Sequence, residues 1–437
     1  MQIDRVRLRD DFHALCDLGG RFAGTRSELD ARAFAAARLA ELGGRNATIL
    51  YPYRGWRRGP SSISGVGEAG ATLETTSLVL SPPTPKGGLE LDLIDLGRGT
   101  AADFAARREA IAGKAILVRH EFPFTIDHVH RRRKYGWAKE ARAGAFVIAN
   151  YLPGVGVVTG SSGRGEPDDL ISLGVSYESG LQLAAAANGS KPRVRLDVDS
   201  ERVPAQGAHL IAEFPGRSDE WVVLCAHLDG HDLAESALDN GTGSVAALAI
   251  ARALVPELGA TRRGLRVMLF TFEEWGLYGS SVYVRGLSDA ERAKISFVVN
   301  LDTIVGSDRL SALISEMDDV GAFVTAATAG AAVPVDLVRP VLGNSDHYNF
   351  FLGGIPSFRL IAGYEDRNAA TRLILTPADR RDLVDIDALG VSAGIAGGIV
   401  RAALNHEGEI ARHRSADEVA ASLDFTDPWV SDRASRK

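Results

Sequence analysis

Two cysteines in 437 residues, Cys16 and Cys225, are too few and too far apart for a disulfide framework. Cys225 sits inside an apolar run, so both read as reduced core thiols. Basic charge is not in excess either. Lys and Arg number 49 against 56 Asp and Glu, for a net charge of −7 and a pI near 5.9. That balance argues against nucleic acid or an anionic membrane as a partner. No uninterrupted apolar run approaches the ~18–20 residues of a membrane span. Met1 to Phe12 is charged throughout and lacks the apolar core of a secretory signal, so the expectation is a cytoplasmic protein. No internal repeat is visible. What remains, 45% hydrophobic and 24% charged residues, is ordinary for a soluble globular enzyme, and the length argues for more than one domain or one with an insertion.

Positions 10–43 read as two helices, the second, Ala31 to Leu42, stopped by Gly43-Gly44. Thr48 to Tyr53 reads as a strand, and the Pro- and Gly-rich stretch from Thr76 to Gly88 as a boundary. A separate module follows, with strands expected at Leu89–Leu96, Gly113–Arg119, Phe146–Asn150, Leu170–Gly174 and Pro192–Val198 and helices at Lys134–Gly144 and Tyr177–Ala187. Within it, Arg131-Arg132-Arg133-Lys134, flanked by His128 and His130, reads as a solvated helix start or a flap over a pocket. The second half alternates strands (221–226, 266–272, 296–301, 357–361) with helices (242–254, 277–286, 319–331, 346–352, 387–404). That alternation predicts an α/β fold with a mostly parallel mixed sheet and helices on both faces. The segmentation is then 1–80, 81–195, 196–408 and a polar tail 409–437, whose Phe425 and Trp429 suggest docking on the body or on a second subunit.

The chemistry lies at the expected strand ends. His227-Leu-Asp229 closes one apolar run, and Asp239 follows twelve positions after His227, just before the glycines that open a helix. Glu273-Glu274 closes a second run and Asp302 a third. Strand ends of an open α/β sheet are where ligands collect, and imidazole with carboxylates is the donor set that holds one or two zinc ions in a hydrolase. In an extended segment adjacent side chains point opposite ways, so one of the two glutamates can bind metal while the other faces a water that must lose a proton.

With these residues in place the chain resembles metallopeptidase family twenty-eight, which includes bacterial leucyl-type aminopeptidases, glutamate carboxypeptidases and glutaminyl cyclases. The matching stretches are AHLDGHDLAESALDNGTGSVAAL, LFTFEEWGLYGSSVYV, NLDTIVG and SDHYNFFLGGIPSF, covering most of 205–405. Residues 10–50 resemble the family's N-terminal helices, and the module at 84–190 resembles the smaller, β-rich protease-associated domain that some members carry as an insertion. The resemblance implies a zinc-exopeptidase fold and a set of roles. His227, Asp239 and Asp302 form one zinc site; Asp239 bridges to a second zinc that Glu274 also binds; Glu273 is the general base and later the acid; Asp229 orients His227.

One implied position is missing. The family places a histidine late in the chain as the last ligand of the second zinc, in a segment like His-Thr-x-x-Asp. Here that segment reads Ile374-Leu375-Thr376-Pro377-Ala378-Asp379, and leucine cannot ligate. Three outcomes stay open: His347 of Ser345-Asp346-His347 supplies the ligand, the second site is weak or empty, or peptidase activity is lost. Asp346 and His231 are candidate substrate-pocket residues. Arg359 either grips a substrate carboxylate, as in glutamate carboxypeptidases, or pairs with a nearby acid. The implied activity is a zinc-dependent exopeptidase acting on peptides or small amides. The alternatives are glutaminyl-cyclase-like acyl transfer and a catalytically silent binding or scaffold relative, and the protein forms a monomer or a homo-oligomer.

Overall fold

The computed structural model describes residues 1–65, 73–189 and 192–424, so the tail residues Phe425 and Trp429 lie outside the described residues. The chain divides into two compact units. The first comprises Met1–Pro52, Gln206–Ile374 and Asp379–Leu423; the second comprises Tyr53–Ala205, Leu375–Ala378 and Asp424–Lys437. These divisions fall at other residues than the Pro- and Gly-rich stretch suggested. The chain changes unit inside two long strands, Arg45–Ser64 and Arg193–Phe214, at Pro52–Tyr53 and at Ala205–Gln206.

In the first unit four parallel strands form the centre of the sheet, in the order Ser357–Ala362, Ile295–Leu301, Trp221–His227 and Gly264–Phe270. Residues 209–214 pair antiparallel with Gly264–Phe270 at one side. At the other, Leu310–Leu313 pairs antiparallel with Ser357–Ala362 and parallel with Val335–Val338. The three strands that lead into His227, Asp302 and the two glutamates are almost wholly buried, which is why they read as continuous apolar runs rather than alternating ones. Val223, Cys225, Met268, Phe270, Val298 and Phe350 form one core cluster between the sheet and its helices. The helices Thr242–Leu254 and Ile386–Asn405 pack against each other and against the sheet. Ile386–Asn405 is long and apolar enough to cross a bilayer by length and composition, which the absence of an uninterrupted apolar run had argued against, and half of it is buried in the protein core. The short strands at Leu310–Leu313 and Val335–Val338 escaped the sequence reading because four residues are too few to show a period.

The second unit is itself α/β. Leu89–Asp95, Ala115–Arg119, Ala145–Ala149 and Ile171–Val175 run parallel, with Thr75–Ser77 and residues 193–196 antiparallel at the two sides. Its core gathers Leu93, Leu117, Val147, Leu173, Leu183 and Leu196. The helix Ala101–Ile111, not expected from the sequence, opens with a capping box between Thr100 and Asp103. The basic run is not a solvated helix start. Arg131, Arg132 and Lys134 are buried, with Arg132 donating to the Ser161 hydroxyl and the Lys134 ammonium to the Arg119 carbonyl at 2.7 Å and to Glu121 at 2.5 Å.

Candidate metal centre and active site

His227 is the last residue of its strand and is fully buried. Its Nδ1 lies 3.0 Å from the backbone carbonyl of Asp229. A proton donated there leaves Nε2 as a lone pair, and Nε2 faces Asp239 Oδ1 at 3.2 Å and Asp302 Oδ1 at 3.6 Å with no hydrogen bond of its own. Acceptors that converge in this way repel one another unless a cation sits among them.

Asp302 follows the strand Ile295–Leu301 directly. Its Oδ2 accepts from the Ser345 hydroxyl at 2.6 Å; Oδ1 accepts from the Thr303 hydroxyl at 3.0 Å and lies 3.1 Å from the Arg359 guanidinium. Arg359 also donates to the Asn344 carbonyl, so of its two expected uses the pairing with a nearby acid is the one the structure holds. Burial alone raises a carboxyl pKa, but the Arg359 guanidinium, with the Ser345 hydroxyl donating to the carboxylate, holds Asp302 well below the usual carboxylate range.

Asp239 lies in an irregular turn just before the helix Thr242–Leu254, and its side chain is placed through its backbone. Asp379 accepts from the N–H groups of Leu238 at 2.7 Å and Asp239 at 3.2 Å. Asn240 continues the clamp, donating to the Leu301 carbonyl and accepting from the N–H groups of Gly243 and Thr303.

Glu273 and Glu274 are not extended, as the alternation argument required. They sit in a turn beyond the strand Gly264–Phe270, where Gly276 and Leu277 both donate to the Glu273 carbonyl. Asp229 fixes this turn: its two carboxylate oxygens accept from the N–H groups of Glu273 at 3.1 Å and Glu274 at 3.2 Å. Its carboxylate is 3.8 Å from His227 Nδ1, so His227 is oriented by the Asp229 carbonyl while the carboxylate holds the glutamates. One ligand-type group is His227, Glu273 and Glu274; a second is His227, Asp239 and Asp302; a third is His231, Asp239 and Glu274. In each, the donor atoms lie within 4.8 Å of one another, and all these residues are buried.

His231 therefore stands beside Asp239 and Glu274, with Nε2 2.7 Å from Glu274 Oε1. His347 belongs to none of these groups among the described residues. It starts the short helix His347–Leu352, fully buried, and burial with the nearby Arg359 charge pulls its pKa down to about 3. Asp346 is also fully buried, and burial raises its pKa. Leu375 belongs to the second unit, where its carbonyl accepts from Thr159 N–H.

The charge balance fits a divalent cation. Asp229, Asp239, Glu273, Glu274, Asp302 and Asp346 are buried together, and Arg359 is the cation in contact with one of them. Burial, together with the neighbouring carboxylates, pushes Glu273 and Glu274 well above the usual range. Burying so many acids is costly without positive charge among them. Two residues to which sequence reasoning gave no role, Ser345 and Asp379, hold Asp302 and the backbone of Asp239. Ser345 stood in the Ser345-Asp346-His347 stretch, and Asp379 in the late segment whose histidine is missing.

Residues 209–399 match peptidase family M28, and residues 74–183 match the PA domain. A probable leucine aminopeptidase 2 of Aspergillus oryzae is 30% identical over 273 residues, 58% of this chain and 52% of that protein. A probable leucine aminopeptidase 2 of Arthroderma benhamiae is 27% identical over 71% of this chain and 62% of its own length. Leupeptin-inactivating enzyme 1 of Streptomyces exfoliatus is 34% identical over 38% of this chain and 39% of its own. The chain thus spans about half to three-fifths of the length of the leucine aminopeptidases it matches. Among solved structures, a peptidase M28 precursor from Shewanella amazonensis superposes with a TM-score of 0.77 at 23% identity, covering 93% of this chain and 95% of that one. A zinc aminopeptidase from Bacillus subtilis gives 0.72 at 22% identity, with 94% and 98% covered. At such identities the likeness establishes the fold, a mixed α/β sheet flanked by helices.

Proposed function

We propose, from the M28 and PA segments that this chain carries, that it is a zinc-dependent exopeptidase of the aminopeptidase type with Glu273 as the proton carrier. The observation that carries the reading is the place of Glu273, which shares a ligand-type group with His227 of one half of the centre and Glu274 of the other. When bound, zinc brings the pKa of a water to about 7 and polarises a carbonyl. The chain's own residues do the rest. Glu273 takes the proton from the attacking water and returns it to the leaving amine. Asp229 holds the backbone of both glutamates, so the base and its neighbour keep a fixed separation. The substrates are peptides or small amides, and the curated relatives named above suggest release of an amino-terminal residue.

Glu273→Gln keeps the volume and removes the base. Turnover of an aminoacyl nitroanilide panel should fall by at least the ~10²–10⁴-fold of a lost acid–base group, with zinc content unchanged. Full activity in that variant overturns the mechanism. A pyroglutamyl product in place of a free amino acid turns the assignment to acyl transfer. A protein with neither zinc nor hydrolysis is a silent relative.

A further inference from the structure

We propose that His231 completes a second zinc site with Asp239 and Glu274, replacing the late histidine whose position Leu375 occupies. The inference rests on the zinc-hydrolase reading above and adds the identity of a ligand. Three observations support it. His231, Asp239 and Glu274 offer ligand atoms within 4.8 Å of one another, and all three are buried. Glu274 Oε1, facing the His231 imidazole at 2.7 Å, is buried and makes no hydrogen bond, so its lone pair is directed into the group. Asp239 is common to this group and to His227–Asp239–Asp302, so its two oxygens can serve two cations.

A further observation concerns how His231 is held. A loop histidine is a poor ligand when the loop is free to move, because ordering it on binding costs ~1–2 kcal/mol per residue. This loop is fixed in advance. Arg21 is fully buried and donates to the carbonyls of Leu228, Glu235 and Ser236, gripping the loop on both sides of His231. The His231 N–H donates to the Ser236 hydroxyl at 2.7 Å, and Gly230 pairs with Phe22 in a parallel bridge. Gly20 closes the clamp. A Cβ there would stand 1.6 Å from the His231 carbonyl, so only glycine lets the N-terminal segment approach so closely.

The test is zinc stoichiometry by mass spectrometry and calorimetric zinc titration of the chelator-stripped full chain. The wild type should take up two ions and His231→Gln one. Affinity for the lost ion should fall by more than the ~10–100-fold that follows loss of a mere outer-shell partner. His347→Ala should keep both ions, and Asp302→Asn should lose the other ion while retaining that at His231. An unchanged circular dichroism melt in the zinc-loaded state checks that His231→Gln folds, and His231→Ala serves as a second variant if it does not. Two ions in both His231 variants, or a single ion in the wild type, overturns the proposal and leaves the hydrolase reading standing. No zinc in the wild type overturns both.

Discussion

The two halves of the centre share Asp239 and little else. In the His227–Asp239–Asp302 half the side chains other than Asp239 stand at strand ends, and Asp302 is already met by the Ser345 and Thr303 hydroxyls and the Arg359 guanidinium. In the His231–Asp239–Glu274 half they stand on a loop and a turn, and Glu274 Oε1 has no hydrogen-bond donor. One half therefore has a guanidinium fixed against it, while the other has the His231 imidazole 2.7 Å from Glu274 Oε1. On the proposal made for His231, a ligand set is rebuilt where the backbone is irregular. A strand end offers one direction to one side chain, whereas a clamped loop can offer a histidine from a new position.

The strongest way to break the comparison is to remove what the halves share. Asp239→Ala should empty both, leaving no tightly bound zinc and no turnover; retention of one ion at wild-type affinity would separate the halves entirely. Arg21→Met attacks the loop side alone. It strands several buried carbonyls, and at ~1–3 kcal/mol for each unsatisfied group the zinc-free melting temperature should fall by many degrees. Zinc affinity should drop at the His231 half before the His227 half, as titration of the purified variant would show. Arg359→Met attacks the strand-end side. Removing one partner of a buried pair costs ~3–5 kcal/mol in the zinc-free protein. The gap in melting temperature between zinc-free and zinc-loaded protein should therefore widen, and zinc at the Asp302 half should bind about tenfold tighter, or ~1.4 kcal/mol. An unchanged gap would mean that Arg359 does not compete with the cation. The smallest effect sharpens the claim that neither half uses sulfur. Burial pushes the Cys16 thiol up to about 12 and raises Cys225, which lies two residues before His227. Thiol reagents at pH 8 should label neither cysteine in the folded protein and release no zinc; labelling with metal loss would place a thiolate near the centre.

The sheet was legible where strands are fully buried, because continuous apolar runs such as Val222–Ala226 and Phe297–Val299 need no alternation to be recognised. The helices Tyr177–Ala187 and Thr242–Leu254 form where the sequence reading placed them. The strands at Leu310–Leu313 and Val335–Val338 were not, being too short to carry a pattern. At the centre, His227, Asp239, Glu274 and Asp302 were legible because each follows an apolar run or precedes a helix. The two histidines are placed differently from the reading, since His231 and not His347 stands beside Glu274. His347 sat in a motif and proved a buried helix-start residue; His231 sat in a loop that no local rule marks as rigid. Arg359, at a strand position suited to a substrate carboxylate, is taken by Asp302.

The sequence by itself determined the residue types, their order and the strand ends that carry them, because burial writes apolar runs and chemistry interrupts them with charge. Tertiary structure alone decided which of two histidines meets Glu274, since that depends on Arg21 and Gly20, more than two hundred positions before Asp239, closing on one loop. Distances of 3–5 Å between residues so far apart in the chain are set by packing, and packing is not written in any single segment.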